Sequence, residues 1–298
     1  MMITGTTQLL GVMGDPIAHS LSPVMHNAAI THLGLDYVYL PFAVAPQDLA
    51  TAVSGFRAIG LRGFNVTIPH KQAILPWLNQ ISEVAQAIGA INTVSWTDQG
   101  WYGTNTDVAG FLAPLKGLDR DWSQTTAVIL GHGGAARAVV AGCAQLGFAQ
   151  IQVVGRNSEK LQAFQASWGK TGLIDRLTIG EWADLAELLP QTDLLVNTTP
   201  IGMHPQTQTS PLKAEDWQNL PTRAIAYDLI YTPRPTLFLQ QADRQGLLTL
   251  DGLEMLVQQG AAALSLWLQQ PAPVEVMRQA LLAYLDRRGK GEEGKDEG

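Results

Sequence analysis

The chain has 298 residues, room for about two domains at roughly 100–200 residues each, and its 46% apolar and 15% charged content with a mean hydropathy of +0.05 excludes disorder over most of its length. A net charge of 19 − 26 = −7 without a basic block argues against a nucleic-acid surface, and the longest clean apolar run, 260–268, falls short of the roughly 20 residues that span a bilayer. The single cysteine, Cys143, allows neither an internal disulfide nor a zinc site. With no basic leader at the N-terminus, the expected setting is the cytoplasm, with no metal, nucleic-acid or membrane partner.

Residues 8–14 read as a first strand, followed by a helix over 23–33, a strand over 36–44 and a helix from Asp48. A third strand spans 62–68, with helical turns after Pro69. A hairpin is expected around Asp98-Gln99-Gly100, then a helix over 106–117 with Thr106 or Asp107 near its cap. A second rhythm starts at 126: a short buried strand, a Gly-rich turn, an Ala-rich helix to Gly147, a strand over 151–155 and a helix from Ser158. Strands over 194–199, 224–230 and 247–250 continue it, and helices over 253–268 and 273–287 close the chain. This alternation indicates parallel α/β sheets. Two α/β domains are expected, 1–107 and 108–252, with the helices over 253–287 folding back onto the first. The stretch 288–298 lies in a charged, apolar-free terminal segment and is expected to be a disordered tail.

Between a strand and a helix lies Gly131-x-Gly133-x-x-Ala136, with His132, Gly134 and Ala135 between. The first glycine permits the tight turn, the second admits a pyrophosphate, and the small third residue lets helix and strand pack closely. Alone, the pattern also fits a plain glycine turn. Its strand–turn–helix setting favours a nucleotide on the helix N-terminus. The next strand ends at Gly155 and offers Arg156, Asn157 and Lys160, where a cofactor with a free ribose 2′-hydroxyl would meet an acid. Guanidinium and amide donors suit a 2′-phosphate, so the expected cofactor is NADP; otherwise Arg156 is a solvated loop cation.

Ser20 and Ser22 stand just before Pro23. Ser22 reads as an N-cap with Pro23 at the first helical position, and the pair also reads as two donors for a carboxylate. Alternation along 62–68 sends Phe64, Val66 and Ile68 to one face and Asn65 and Thr67 to the other. If the chain stays extended past Pro69, Lys71 follows on the polar side. Asn92 and Asp107 add polar groups downstream, and a Lys and an Asp converging in a cleft would make an acid–base pair. Gln259 sits within the apolar face of its helix, where a buried amide must bond to backbone or to a polar ligand.

Eight segments taken in order resemble the shikimate dehydrogenase family: HSLSP from 19, GFNVTIPHK from 63, GAINTV from 89, NTD from 105, GHGGAARA from 131, NTTPIGM from 197, YDLIYTPRPT from 227 and DGLEMLVQQGAAA from 251. The resemblance implies an α/β substrate domain and a Rossmann-type NADP domain with a catalytic cleft between them. It implies reversible NADPH-dependent reduction of 3-dehydroshikimate to shikimate in aromatic amino acid biosynthesis. Ser20 and Ser22 resemble the hydroxyls that hold the substrate carboxylate. Asn65, Thr67, Asn92, Asp107 and Gln259 resemble the ring-hydroxyl contacts, with Tyr231 nearby. Lys71, paired with Asp107, matches the catalytic lysine. Gly131 to Ala135, Gly155, Arg156, Asn157, Ser158, Glu159, Lys160, Leu229 and Gly252 match cofactor contacts, and Glu83 falls where the family has an acid near the nicotinamide. Two departures stand out. His132 replaces the family's usual Ala, and Gly155-Arg156-Asn157 replaces Asn-Arg-Thr.

On the same fold, a quinate or dual quinate/shikimate dehydrogenase is the nearest alternative, disfavoured by Ser20, Ser22 and Arg156. A non-catalytic nucleotide-dependent regulator is disfavoured by the presence of both Lys71 and Asp107. The expected partner is a small-molecule substrate, and self-association, where it occurs, is expected as a homodimer.

Overall fold

The computed structural model describes residues 2–169, 172, 173 and 175–293, with backbone alone for 288–293. It divides into two compact units. One comprises Met1–Ala85, Ala90–Thr106 and Val257–Gly298, the other Gln86–Gly89 and Asp107–Leu256.

The first unit takes, in chain order, β1 (Gln8–Gly14), α1 (Ser22–His32), β2 (Tyr37–Ala43), α2 (Leu49–Ala58), β3 (Gly63–Val66), α3 (His70–Ala73), β4 (Gln80–Ile81), the start of α4 (Glu83–Ile88), β5 (Thr93–Thr97) and β6 (Gly100–Thr104). Its sheet runs β2-β1-β3-β5-β6-β4. The three strands β2, β1 and β3 are parallel, while β5 pairs antiparallel with β3 on one side and, through the expected hairpin, with β6 on the other. Pro41 is tolerated in β2 because that strand is an edge. Phe64 and Val66 enter a core with Met13, Val53, Phe56 and Ile91, so the opposite face of β3 belongs to Asn65.

The second unit continues with α5 (Asp107–Lys116), β7 (Thr126–Leu130), α6 (Gly134–Leu146), β8 (Gln150–Gly155), α7 (Ser158–Ala166), β9 (Leu177–Glu181), α8 (Leu185–Leu188), β10 (Leu194–Asn197), β11 (Ile225–Asp228), α9 (Leu237–Arg244) and β12 (Leu248–Leu250). All of its strand pairs are parallel, in the order β12-β11-β10-β7-β8-β9. This is the doubly wound dinucleotide-binding order, and its reversal point is β7, the strand that feeds the Gly-rich turn. The helices α10 (Gly252–Leu268) and α11 (Val274–Glu293) close the chain, and α11 packs on α1.

Several boundaries differ from the sequence expectation. The short strands β4 and β9 carry too little hydrophobic alternation to announce themselves. The third strand stops at Val66, and Ile68, expected on the apolar face, is 69% exposed. Pro69 has no N–H to continue a ladder, and the His70 N–H instead closes a turn onto the Thr67 carbonyl at 2.9 Å. The last helix continues past 287 to Glu293, through Arg288, Lys290, Glu292 and Glu293, which favour helix, and across Gly289 and Gly291, which do not. The remainder of the expected tail, 294–298, lies outside the described residues.

Candidate active site

Across one face of the first sheet the register aligns Val12, Asn65, Thr93 and Thr104 on successive strands. Asn65 is buried, and every polar atom of its amide is engaged. Its Oδ1 accepts from the Tyr39 hydroxyl at 2.6 Å, and its Nδ2 donates to the Asn92 carbonyl at 3.0 Å and to Thr93 Oγ1 at 3.1 Å. Asn92 extends the network. Its Oδ1 accepts from the Thr106 N–H at 2.7 Å and the Thr93 hydroxyl at 2.8 Å, while its Nδ2 donates to Thr106 Oγ1 at 3.0 Å and Gln259 Oε1 at 3.4 Å. Gln259 is half-buried on α10, and a side-chain partner meets the demand that its place in an apolar face creates. Ser22 hydrogen-bonds the Tyr39 phenol, whose burial pushes its pKa well up and keeps it a neutral donor. Ser22, Asn65, Asn92 and Gln259 thus meet in one network. Its links Tyr39, Thr93 and Thr106 were not among the sequence candidates.

Behind this face His26 stacks on Tyr39 with ring centroids 4.1 Å apart, and its Nδ1 meets the Ser22 carbonyl at 2.9 Å. Full burial lowers its pKa to about 4, so the imidazole is neutral at pH 7.

The serine pair is arranged differently from the capping expectation. Ser22 is the first helical residue of α1, Leu21 precedes it as N-cap without a side-chain bond, and Pro23 falls one place later. Ser20 Oγ lies 3.4 Å from the Ser22 N–H. The Ser22 hydroxyl therefore does no capping work.

Lys71 does not continue the strand. It sits half-buried on the helical turn α3, anchored by the Ile91 N–H on the Lys71 carbonyl at 2.7 Å and by His70 Nε2 at the Val44 carbonyl, 2.6 Å. Thr67 is tied to β1 through its N–H on the Met13 carbonyl at 3.0 Å. Asp107 is buried and heads α5, one residue after the network member Thr106, and by its contacts it counts with the second unit.

In the second unit Gly131 adopts φ +104°, a left-handed turn that only glycine takes cheaply. A Cβ there would meet Thr198 Oγ1 at 2.8 Å. Gly133 is the N-cap of α6, and nothing lies within 4 Å of the place where its Cβ would stand. Residues 156–160 are all exposed at the end of β8. Asn157 caps α7, its Oδ1 accepting from the Lys160 N–H at 2.8 Å, with Ser158 and Glu159 in the first turn.

The loops after β10 and β11 are organised by Asp228, which sequence reasoning did not single out. It is fully buried and accepts from Thr236 Oγ1 at 2.7 Å, Asn197 Nδ2 at 3.0 Å and the Ile230 N–H at 3.1 Å. Burial outweighs these bonds and raises its pKa to about 7. The following residues Leu229 and Gly252 meet directly, since a Cβ on Gly252 would lie 2.1 Å from the Leu229 carbonyl oxygen. Tyr231 is partly buried just beyond. Arg137, also unanticipated, reaches from α6 to donate to the Ile88 carbonyl at 2.6 Å and Ser167 Oγ at 2.7 Å, which explains why 86–89 belongs to this unit.

The model of the shikimate dehydrogenase substrate binding domain matches residues 12–94, and that of the shikimate 5′-dehydrogenase C-terminal domain matches 252–282. A shikimate dehydrogenase (NADP(+)) from Nostoc sp. is 63% identical over 286 residues, covering 95% of this chain and 99% of that protein. The chain belongs to the shikimate dehydrogenase family. Among solved structures, a shikimate dehydrogenase in complex with NADP+ superposes with a TM-score of 0.85 at 36% identity, over 95% of this chain and 98% of that one. A 5-ketofructose reductase from Gluconobacter sp. reaches 0.82 at 34%, over 94% and 100%. The fold class of the family, an α/β substrate domain followed by a Rossmann-type domain, is the fold class of this chain.

Within the shikimate dehydrogenase family pattern, the two departures of this chain prove to be one feature. A Cβ on Gly155 would lie 2.7 Å from Cδ2 of His132 and 3.1 Å from Leu161 Cδ2. The His132 ring therefore packs over Gly155, and a larger residue at 155 would collide with it. Glu83, the remaining cofactor candidate, is exposed at the start of α4 and belongs to the first unit.

Proposed function

We propose that this chain catalyses the reversible NADPH-dependent reduction of 3-dehydroshikimate to shikimate. The observation that carries the reading is the buried network from Ser22 through Tyr39, Asn65, Thr93, Asn92 and Thr106 to Gln259. Amides and hydroxyls fixed in this way suit a polyhydroxylated ring, and the Ser20–Ser22 pair beside them suits its carboxylate.

The residues of the second unit fit NADP. The Gly131 turn leaves open space before Gly133, α6 presents its free N–H groups to a pyrophosphate, and Arg156 with Lys160 stands where a 2′-phosphate would need cations. When bound, the cofactor supplies the hydride. Lys71 gives the proton to the ring oxygen that becomes a hydroxyl, and takes it back in oxidation. Asp107 orients Lys71 and bonds a ring hydroxyl. Asn65, Thr67, Asn92 and Gln259 hold the ring hydroxyls, Tyr231 borders the ring, and Glu83 lies by the nicotinamide. Gly155, Asn157, Ser158, Glu159, Leu229 and Gly252 line the cofactor.

The lone buried thiol of Cys143, its pKa pushed up by burial, suits the reducing cytoplasm, which we assign as the site of action. Among the described residues no helix is long and apolar enough to cross a membrane. A homodimer, the commonest closed assembly, is the expected form of any self-association.

The test is the initial rate of NADPH formation at 340 nm with shikimate, against quinate and 5-ketofructose-derived polyol as alternative substrates. Shikimate should be preferred by at least tenfold in kcat/KM, since the polyol lacks the carboxylate and quinate, which has one, carries a saturated ring with a further hydroxyl on the carboxylate-bearing carbon. Preference for a substrate lacking the carboxylate would overturn the assignment.

A further inference from the structure

The sheet order β12-β11-β10-β7-β8-β9 reverses at β7, so a dinucleotide whose pyrophosphate lies on the Gly-rich turn extends to both sides of that strand. Its adenosine end, with the 2′-phosphate, belongs on the side of β8, where Arg156 and Lys160 stand. The nicotinamide end then falls on the side of β10 and β11. The two ends depend on different loops.

The loops on the β10 and β11 side share one buried carboxylate. Asp228 Oδ1 accepts from Asn197 Nδ2 and the Ile230 N–H, and Oδ2 accepts from Thr236 Oγ1. All four residues are buried, and the three donors offset the desolvation of the acid. Asn197 and Ile230 pass the constraint on. Asn197 Oδ1 accepts from the Thr199 N–H at 3.0 Å and the Thr199 hydroxyl at 2.7 Å, and the Asn197 carbonyl accepts from the Leu229 N–H at 3.1 Å. The Ile230 carbonyl accepts from the Gly252 N–H at 3.2 Å. Thr198 is tied to the Leu130 carbonyl, just before Gly131, by its N–H at 3.0 Å and its hydroxyl at 2.7 Å. Thr198, Thr199 and Leu229 are half-buried, so the residues that Asp228 fixes are ones a ligand can reach.

We propose, on the reading of this unit as an NADP site, that Asp228 is a positioning residue for the nicotinamide end of the cofactor, acting through Asn197 and Ile230 on Thr199, Leu229 and Gly252. Loops set in advance lower the ordering cost of binding, and only the half of the ligand that lies on them gains by it.

The test is calorimetric titration of the full chain with NADP and, separately, with 2′,5′-ADP, which has the adenosine end and the 2′-phosphate but no nicotinamide. Asp228→Leu should weaken NADP at least about tenfold and change 2′,5′-ADP by less than about twofold. Thr236→Val removes one donor and leaves the carboxylate in place. It should show the same selectivity, at about three- to tenfold on NADP, so the result does not hang on the folding of the leucine variant. Asp228→Asn should stay close to wild type for both ligands, because its Oδ1 still accepts from Asn197 and Ile230 and the Thr236 hydroxyl can accept from its Nδ2. Equal losses for the two ligands, or NADP affinity unchanged in both Asp228→Leu and Thr236→Val, would overturn the proposal. So would an Asp228→Asn variant as weak as Asp228→Leu. A wild-type chain that binds neither ligand would overturn the NADP reading itself, and the role of Asp228 with it.

Discussion

Tyr39 donates its hydroxyl to Asn65 Oδ1 at 2.6 Å from a strand two places away in the sheet, with β1 between them. The bond fixes which end of the Asn65 amide is oxygen, so that Nδ2 is the atom directed to Asn92 and Thr93. Tyr39→Phe keeps the stack on His26 and removes the hydroxyl that donates to Asn65 and bonds Ser22. A net hydrogen bond of about 0.5–1.5 kcal/mol is lost, so the KM for shikimate should rise about two- to tenfold with the KM for NADP unchanged. A fall in Tm with unchanged KM would make Tyr39 a core residue and nothing more.

His132 and Gly155 are the second coupled pair, because the ring of one occupies the side-chain space of the other. Gly155→Ala alone should lower Tm and raise the KM for NADP. The double variant His132→Ala, Gly155→Ala should recover most of both losses, with an interaction energy of about 0.5–3 kcal/mol in the double-mutant cycle. Strict additivity of the two changes would mean that the loop adjusts and the departures are independent.

Arg156 is exposed at the end of β8, where its charge can reach a 2′-phosphate. Hydrogen bonds to charged groups contribute about 1.5–3 kcal/mol. Arg156→Ala should therefore raise the KM for NADP about tenfold or more, while NAD-linked activity changes little. Equal losses with both cofactors would contradict the assignment of cofactor choice to this side chain.

How much of this was legible in the sequence follows from the range of each interaction. The Gly-rich loop was legible because its constraints are local: a left-handed φ at Gly131 and open space at Gly133 are written in the glycines themselves. The polar candidates Asn65, Asn92 and Gln259 were visible as polar residues at apolar positions. Tyr39, Asp228 and Arg137 were not, since each is identified by partners distant in sequence, Asn65, Asn197 and Ile88. The position of Lys71 was read on an extended chain, and the turn that Pro69 begins moved it onto a helix. The role of Ser22 as cap failed by one residue, the usual uncertainty of a helix boundary.

Lys71 is anchored through its own carbonyl and through His70, so its side chain can change without releasing α3. General acid–base catalysis contributes about 10²–10⁴-fold. Lys71→Ala should lower kcat by that range with a smaller change in KM, because the interaction is made mainly in the transition state. Its Tm and NADP affinity should stay near wild type. A variant within about threefold of wild-type kcat would remove Lys71 as the acid–base group and leave Asp107 as the next candidate.

The central claim, hydride transfer to ring carbon 3, is tested most directly by isotope transfer. The enzyme is given 3-dehydroshikimate with NADPH deuterated at one or the other face of nicotinamide C4, and the product is read by proton NMR. One of the two labelled cofactors should deliver deuterium to C3 of shikimate, and the other should leave that position protonated. Absence of shikimate, or a C3 hydrogen that comes from solvent with both labels, would contradict it.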